Sequence, residues 1–395
     1  MSIESATHKS IDLICFSNLR WSFVFQRPYH LMSRFARHSR VYFVEEPVYE
    51  HTGGPAMLRR VCPQTGTVIV TPSLHEAHKG RDVHPLLKRL LDQFLKREKI
   101  RSYIAWFYTP MALDFAPQLS AELTIYDCMD EVSCLRGASA KLSENERRLL
   151  NQADLVFTGG VSLFEAKRNK HLHVYPFPSG VDVQHFAQAR GIRETPDDQA
   201  GIPHPRLGYA GVIDDRIDRN LLDRMATLRP EWQFVMIGPV AKIDPESLPR
   251  RKNIHWLGMK DYRDLPSYLA GWDVGILPFA VNEVTRFTSP TKTPEYLAAG
   301  LSVVSTPIRD VVRPYGTLGL VRIAGTPEEF VLAAEHSMAF GLTMKWRRRV
   351  DAFLTTLSWD DTWSSMWKLI SDALETKVFT PAVMTAGSSS AATSR

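Results

Sequence analysis

The chain reads as an α/β protein made of two Rossmann-like, doubly wound domains that face each other across a cleft. Three observations predict this. Short apolar runs alternate with amphipathic helical runs from Ile11 onward, the pattern of strand–helix units around parallel sheets. The alternation breaks at Ala187–Pro205, AQARGIRETPDDQAGIPHP, which is rich in Gly, Pro and charge, and a fresh series starts at Arg206. The length of 395 residues exceeds one typical core and fits two domains of ordinary size.

In the first half, apolar runs predict strands at Ile11–Ser17, Arg40–Glu45, Thr67–Thr71, Tyr103–Phe107, Leu123–Asp127, Asp154–Thr158 and His173–Tyr175. Helical spacing predicts helices at Arg27–Arg37, His84–Lys99, Lys141–Asn151 and Ser162–Arg168. In the second half, strands are expected at RLGYAG, QFVMIG, NIHWLG, DVGILP, LSVVST and GLVRIA, and helices at Asn220–Leu228, Leu265–Gly271 and Pro294–Ala299. Trp359–Leu374 is a strongly amphipathic closing helix, and a Ser/Ala tail follows that is expected to be disordered. The division is therefore 1–186 for an N-terminal domain and 187–205 for a linker. Residues 206–358 form a C-terminal domain, 359–378 a helix and 379–395 the tail.

Composition narrows the class. Hydrophobic content of 44% with 23% charged residues describes a globular chain. The four cysteines, Cys15, Cys62, Cys128 and Cys134, show no CxxC pairing, and two lie in apolar strand-like runs, so reduced core thiols are expected. The first ten residues lack an apolar leader segment, and no run of eighteen apolar residues occurs; a cytoplasmic protein is expected. A net charge of +5 is a modest lean with no basic stripe carrying interleaved aromatics, which argues against nucleic acid as partner.

The ligand crevice of doubly wound domains lies at the carboxyl ends of the strands, so residues just after strands carry the chemistry. In the second domain Gly211, Gly238 and Gly258 end strands, and Arg216, Lys242 and Lys260 follow within a few positions; Met259 lies between Gly258 and Lys260. The run TRFTSPTKTPEYLAAG (Thr285–Gly300) reads as a loop, then a helix opening near Thr291. Its free N–H groups and positive dipole end suit a phosphate. Lys292 and Glu295, three residues apart, share one helix face. There the lysine suits a pyrophosphate and the carboxylate suits ribose hydroxyls; the plainer alternative is a surface i,i+3 ion pair.

In the first domain no glycine occurs between Ile11 and Gly53, so the GxGxxG of an NAD- or FAD-dependent unit is missing. The first loop is aromatic and basic instead. Trp21, Phe25 and Arg27 are the candidates for holding a sugar ring or lipid-linked acceptor, against the alternative that the rings pack as core. In TIYDCMDEVSCL, Asp127, Asp130 and Glu131 sit at a strand end, where a carboxylate can act as general base toward an acceptor hydroxyl. Alternation sets Asp127 apart from its neighbours, and Asp130 is the favoured base. No histidine/carboxylate cluster with metal-ligand spacing appears, so no metal and no cofactor is expected.

Together these segments resemble the GT-B glycosyltransferases of the family 4 type, in particular bacterial teichuronic-acid and exopolysaccharide members. FPSGVDVQHF (Phe177–Phe186) is similar to the family's NGVD segment, and PEYLAAGLSVVST to its E-x-x-A-x-G-x-P-V-V-x-T run. The resemblance implies a ribose role for Glu295 and a phosphate role for Lys292. YDCMDE is similar to the base-bearing segment of a xanthan-assembly glucuronosyltransferase, which implies the base role for Asp130. The final helix is similar to the family's helix that crosses back to the first domain. Two departures stand out. Phe287 occupies the position of the first glutamate of the family's E-x7-E, with Glu283 four residues out of register, and the first loop lacks a glycine pair.

The implied activity is metal-independent transfer of a sugar from a nucleotide-diphosphate donor, a UDP-sugar by preference, to a saccharide or lipid-linked acceptor in cell-surface polysaccharide synthesis. Two alternatives remain: a nucleotide-sugar 2-epimerase on the same fold, and a non-catalytic nucleotide-sugar-binding subunit. Finally, Arg81–Arg101 carries seven Lys/Arg against three acids around a leucine-rich stripe. With the Trp21–Tyr29 loop it suggests peripheral contact with the cytoplasmic membrane face.

Overall fold

The computed structural model describes residues 11–116, 120–134, 139–340 and 343–379. The expected disordered tail lies outside the described residues, apart from its first position. The first half forms a nine-stranded sheet. Its strands are β1 (Asp12–Phe16), β2 (Val41–Val44), β3 (Val48–Glu50), β4 (Ala56–Val61), β5 (Val68–His75), β6 (Tyr103–Phe107), β7 (Leu123–Cys128), β8 (Leu155–Thr158) and β9 (Val174–Pro176). The order is β3-β5-β2-β1-β6-β7-β8-β9, with β4 antiparallel on β5 and the other pairings parallel. Both faces are covered, which is why the central strands are apolar throughout and do not alternate. Strands β3 and β4 were not anticipated: the first is three residues long, and the second exposes its last four residues, so neither carries a clear apolar signal.

The second sheet has six parallel strands in the order β12-β11-β10-β13-β14-β15. These are β10 (Arg206–Ala210), β11 (Gln233–Ile237), β12 (Ile254–Gly258), β13 (Val274–Leu277), β14 (Ser302–Ser305) and β15 (Arg322–Ile323). GLVRIA shrinks to two paired residues, and the helices Pro327–Phe340 and Met344–Leu354 add to the expected set.

The segment 187–205 is not a free linker. It carries the short helix Asp197–Ala200, and Ala189 and Ile202 join the second domain's core. The buried Gln199 bonds the Trp272 indole and the Tyr268 carbonyl. Val181 and Phe186 also belong to that core, so the second unit begins packing before residue 187. Low apolar periodicity concealed this, because the segment is held largely by polar side-chain bonds.

Helix Trp359–Phe379 returns to the first sheet: Trp359, Met366 and Ile370 share a cluster with Leu13, Phe35, Trp106 and Phe157. Arg34 clasps Asp360 through two hydrogen bonds of 2.8 and 3.0 Å. Helix His84–Arg97 packs Leu87, Leu90, Leu91 and Phe94 into the sheet's other face. Its leucine stripe is thus core, and only its cationic side faces outward.

Candidate functional site

The loops at the carboxyl ends of β1, β7, β10, β11, β12 and β13 converge on one cleft of about 830 Å³ between the sheets. Of the candidates, Trp21, Phe25, Arg27, Asp130, Gly211, Arg216, Gly238, Lys242, Met259, Thr291 and Lys292 all border it; Gly258 and Glu295 lie next to bordering residues. Residues as far apart in the chain as Trp21 and Lys292 therefore meet in one place.

The second domain forms a cationic wall. The loops after β10 and β11 are stitched together by a bridge between Ile213 and Val240. Gly238, at φ +141, lies so close to Gly211 that a Cβ there would sit 1.8 Å from the Gly211 carbonyl oxygen. The glycine pair thus serves loop-to-loop contact. That contact sets Lys242, whose own φ of +60 is rare for a side-chain-bearing residue. Strain of this kind concentrates at functional loops. Lys242 has no ion-pair partner within contact distance among the described residues.

Arg216 is held by Asp214 at 2.6 Å. Burial, the largest single influence, opposes its charge, but the hydrogen bonds it donates to Asp214 and the attraction of nearby negative groups together outweigh burial and raise the guanidinium pKa. Helix Lys292–Ala299 opens at Thr291 with no side-chain cap and closes on Gly300, at φ +85. Lys292 Nζ donates to Glu295 Oε2 at 2.8 Å, so the i,i+3 ion pair forms on the helix face. The two side chains are 20% and 10% exposed, leaving the ammonium at the cleft and the carboxylate behind it. Tyr296, one residue on, uses its buried hydroxyl to accept the Ala210 N–H at 2.7 Å and so fixes this helix to β10.

The first domain contributes a carboxylate. Asp130, just beyond β7, is exposed to the cleft. The protein crowded around its carboxyl raises its pKa, while Arg216 and Lys242 across the cleft pull it down and Asp214 pushes it up. The net shift is upward. Asp127 and Glu131 point elsewhere, to Arg27 and to Lys167 respectively.

The expected acceptor residues need correction. Arg27 is fully buried: its guanidinium donates to Asp127 at 2.9, 3.0 and 3.2 Å and to the Phe177 carbonyl at 2.6 Å. It ties the first helix to β7 and is not free for a ligand. Trp21 is only 7% exposed and packs on Tyr29 and Phe43. Phe25 is half-buried and stacks on Tyr262 of the second domain. The aromatic loop is thus mostly core and interdomain contact, its plainer alternative.

Sequence reasoning missed Asp214, Tyr262 and Asp310. Asp310 reaches from the second domain to accept the Ser162 N–H of the first at 3.1 Å. Only Asp214 carried a local signal, its i,i+2 spacing to Arg216. Among the described residues no group of three or more His, Cys, Asp or Glu is placed to hold a metal ion, and no helix is long and apolar enough to cross a membrane.

Comparison with known proteins shows what this arrangement is similar to. Residues 204–339 match the family model described as glycosyl transferases group 1. A putative teichuronic acid biosynthesis glycosyltransferase of Bacillus subtilis (strain 168) is 27% identical over 219 residues, 51% of this chain and 54% of that protein. The match therefore spans about half the length of that relative. Among solved structures, sucrose-phosphate synthase from Thermosynechococcus elongatus superposes with a TM-score of 0.69 at 13% identity, covering 93% of this chain and 100% of its own. A glycosyltransferase from Rickettsia africae gives 0.66 at 10% identity, covering 93% and 100%. The Anabaena protein HepE, solved with UDP and glucose, gives 0.62 at 11% identity, covering 91% and 99%. At such identities these structures establish the fold alone. The chain has the GT-B fold, and its residues 204–339 are similar to the glycosyl transferases group 1.

Proposed function

We propose that the protein transfers a sugar from a nucleotide-diphosphate donor, a UDP-sugar by preference, to a saccharide or lipid-linked acceptor in cell-surface polysaccharide synthesis. One observation carries this reading: a cleft-exposed carboxylate on one domain, Asp130, faces unpaired and paired cations on the other, Lys242, Arg216 and Lys292. In the proposed reaction Asp130 takes the proton of an acceptor hydroxyl as that oxygen bonds to the sugar's anomeric carbon. The bond from that carbon to the diphosphate breaks, and the diphosphate leaves with the electron pair. Lys242, Arg216, Lys292 and the uncapped helix end stabilise the charge that develops there, without a metal ion. Glu295 turns from its ion pair to the ribose hydroxyls. The match to a teichuronic acid biosynthesis protein supports the polysaccharide setting.

The test is a thermal-shift screen with UDP-, GDP- and dTDP-sugars, followed by measurement of nucleoside diphosphate release with saccharide acceptors. Stabilisation by one donor and acceptor-dependent release are expected. Binding without release would leave a nucleotide-sugar-binding subunit, and interconversion of the donor without an acceptor would favour the epimerase.

We also propose attachment to an anionic cytoplasmic membrane face. Lys88, Arg89, Lys96 and Arg97 lie on a helix whose leucines are committed to the core, so this attachment is electrostatic.

A further inference from the structure

The residue following Asp130 turns the other way, into a closed charge cluster. Glu131 Oε1 accepts from Lys167 Nζ at 2.9 Å and from Ser133 Oγ at 2.9 Å. Lys167, whose side chain is entirely buried, makes a second bond of 2.7 Å to Glu146 Oε1, which also accepts the Tyr126 hydroxyl at 2.9 Å. On the other flank, the buried Cys128 thiol donates to the Asp130 carbonyl at 3.3 Å. The peptide carrying Asp130 is thus tethered on both sides, on its own carbonyl and through the next side chain.

We propose that Lys167 is a positioning residue: it anchors Glu131 and thereby fixes the turn that presents Asp130 to the cleft. The proposal rests on the reading of Asp130 as the base. Its physical ground is that buried ion clusters are a poor way to gain stability, since apolar replacements of similar volume are often as stable. What they supply here is a single geometry. Glu131 Oε2 is buried without a hydrogen-bond partner, so the carboxylate is held for its bond to Lys167 at the expense of its second oxygen. Helix Val161–Lys167, which delivers the lysine, also meets the second domain through the Ser162–Asp310 bond. The cluster therefore links the base-bearing turn to a helix that both domains hold.

The experiment compares the parent with Lys167→Met/Glu131→Gln, which removes the tether and leaves Glu146 bonded to Tyr126, and with Glu131→Gln alone as the milder change. Folding is verified by circular dichroism, donor affinity by calorimetry and turnover with the donor found in the screen. The double variant is expected to lose about tenfold or more in kcat with donor affinity unchanged, as a misplaced base should. Glu131→Gln should show a smaller loss of the same kind. Faster hydrogen exchange at residues 129–134 should accompany it. A folded double variant with parent kcat overturns the proposal. If the double variant does not fold, Glu131→Gln with parent kcat and parent exchange at 129–134 overturns it equally. Asp130→Asn is run alongside: if it keeps parent turnover, the base assignment itself fails. If it is inactive while the double variant is not, the positioning role alone fails.

Discussion

The Phe25 ring lies nearly parallel to the Tyr262 ring, centroids 4.0 Å apart and planes 18° apart, so one stacked pair joins the first domain's leading loop to the second domain. The far face of Tyr262 stacks on His185 at 4.3 Å. Its hydroxyl is buried with no hydrogen-bond partner among the described residues. Tyr262→Phe keeps both stacks and removes the orphaned group, so stability should stay level or rise by up to about 1 kcal/mol. Phe25→Ala removes the ring pair and should cost about 1 kcal/mol beyond lost area. Thermal denaturation of the two variants checks both; destabilisation by Tyr262→Phe comparable to that by Phe25→Ala would contradict this account.

Lys292→Ala and Glu295→Ala should each weaken nucleotide-sugar binding by about 1–3 kcal/mol, the worth of a charge-assisted contact. Because the two side chains pair at 2.8 Å, either change also frees the other. Titration calorimetry on both single variants and the double gives the coupling directly. Unchanged affinity in all three would remove these residues from the donor site.

Asp130→Asn should leave donor binding intact and lower turnover by about a hundredfold or more. The pH dependence follows from its environment. A base works ionised, and crowding raises the Asp130 pKa, so activity should fail on acidification at a higher pH than an ordinary aspartate would set. Lys242→Ala removes a charge that lowers that pKa, so the acid limb should move to still higher pH. A limb that stays in place on that substitution would locate the titrating group elsewhere.

His30, stacked on Trp359 at 4.5 Å, is buried, and burial foremost, then Arg34, Lys292 and His185, lowers its pKa from 6.5 to about 3. The fold keeps it neutral, whereas the unfolded chain takes up a proton near 6.5. Stability should therefore fall as pH drops below about 6.5, by up to about 1.4 kcal/mol per pH unit, until the folded value near 3 is reached. His30→Phe preserves the stack and removes the titration, so the gap between parent and variant should change across this window. Denaturant melts at several pH values measure it; a constant gap would show that His30 does not carry the effect.

Salt should reverse any membrane attachment completely, because Leu87, Leu90, Leu91, Phe94 and Trp21 are buried and unavailable for insertion. Co-sedimentation with anionic vesicles at low salt, and release at high salt, is the expected result. Equal recovery in the supernatant with anionic and neutral vesicles at either salt would exclude attachment.

What was legible in the sequence followed local rules. Helix opening and glycine stop located Lys292–Ala299, and the i,i+3 spacing anticipated the Lys292–Glu295 contact. Strand-end positions brought Arg216, Lys242 and Asp130 to one cleft. What escaped depended on partners far along the chain. Arg27 resembled a free cation beside aromatics because its partner, Asp127, lies 100 residues away. Lys167 stood out in no way until Glu131 and Glu146 closed around it. The segment 187–205 looked unstructured because polar side chains hold it, and their bonds leave no periodic trace.

The return of helix Trp359–Phe379 to the first sheet has a consequence for how the chain is made. As the polypeptide emerges from the ribosome, β1, β2, β6, β7 and β8 are complete long before Trp359, Met366 and Ile370 exist to cover Leu13, Trp106 and Phe157. The earliest-synthesised sheet must wait with one apolar face partly bare while the second domain is translated and folded. The order of synthesis is thus the reverse of the order of completion. Premature termination anywhere before the final helix would leave a nascent product with an adhesive flank, suited to capture by a chaperone.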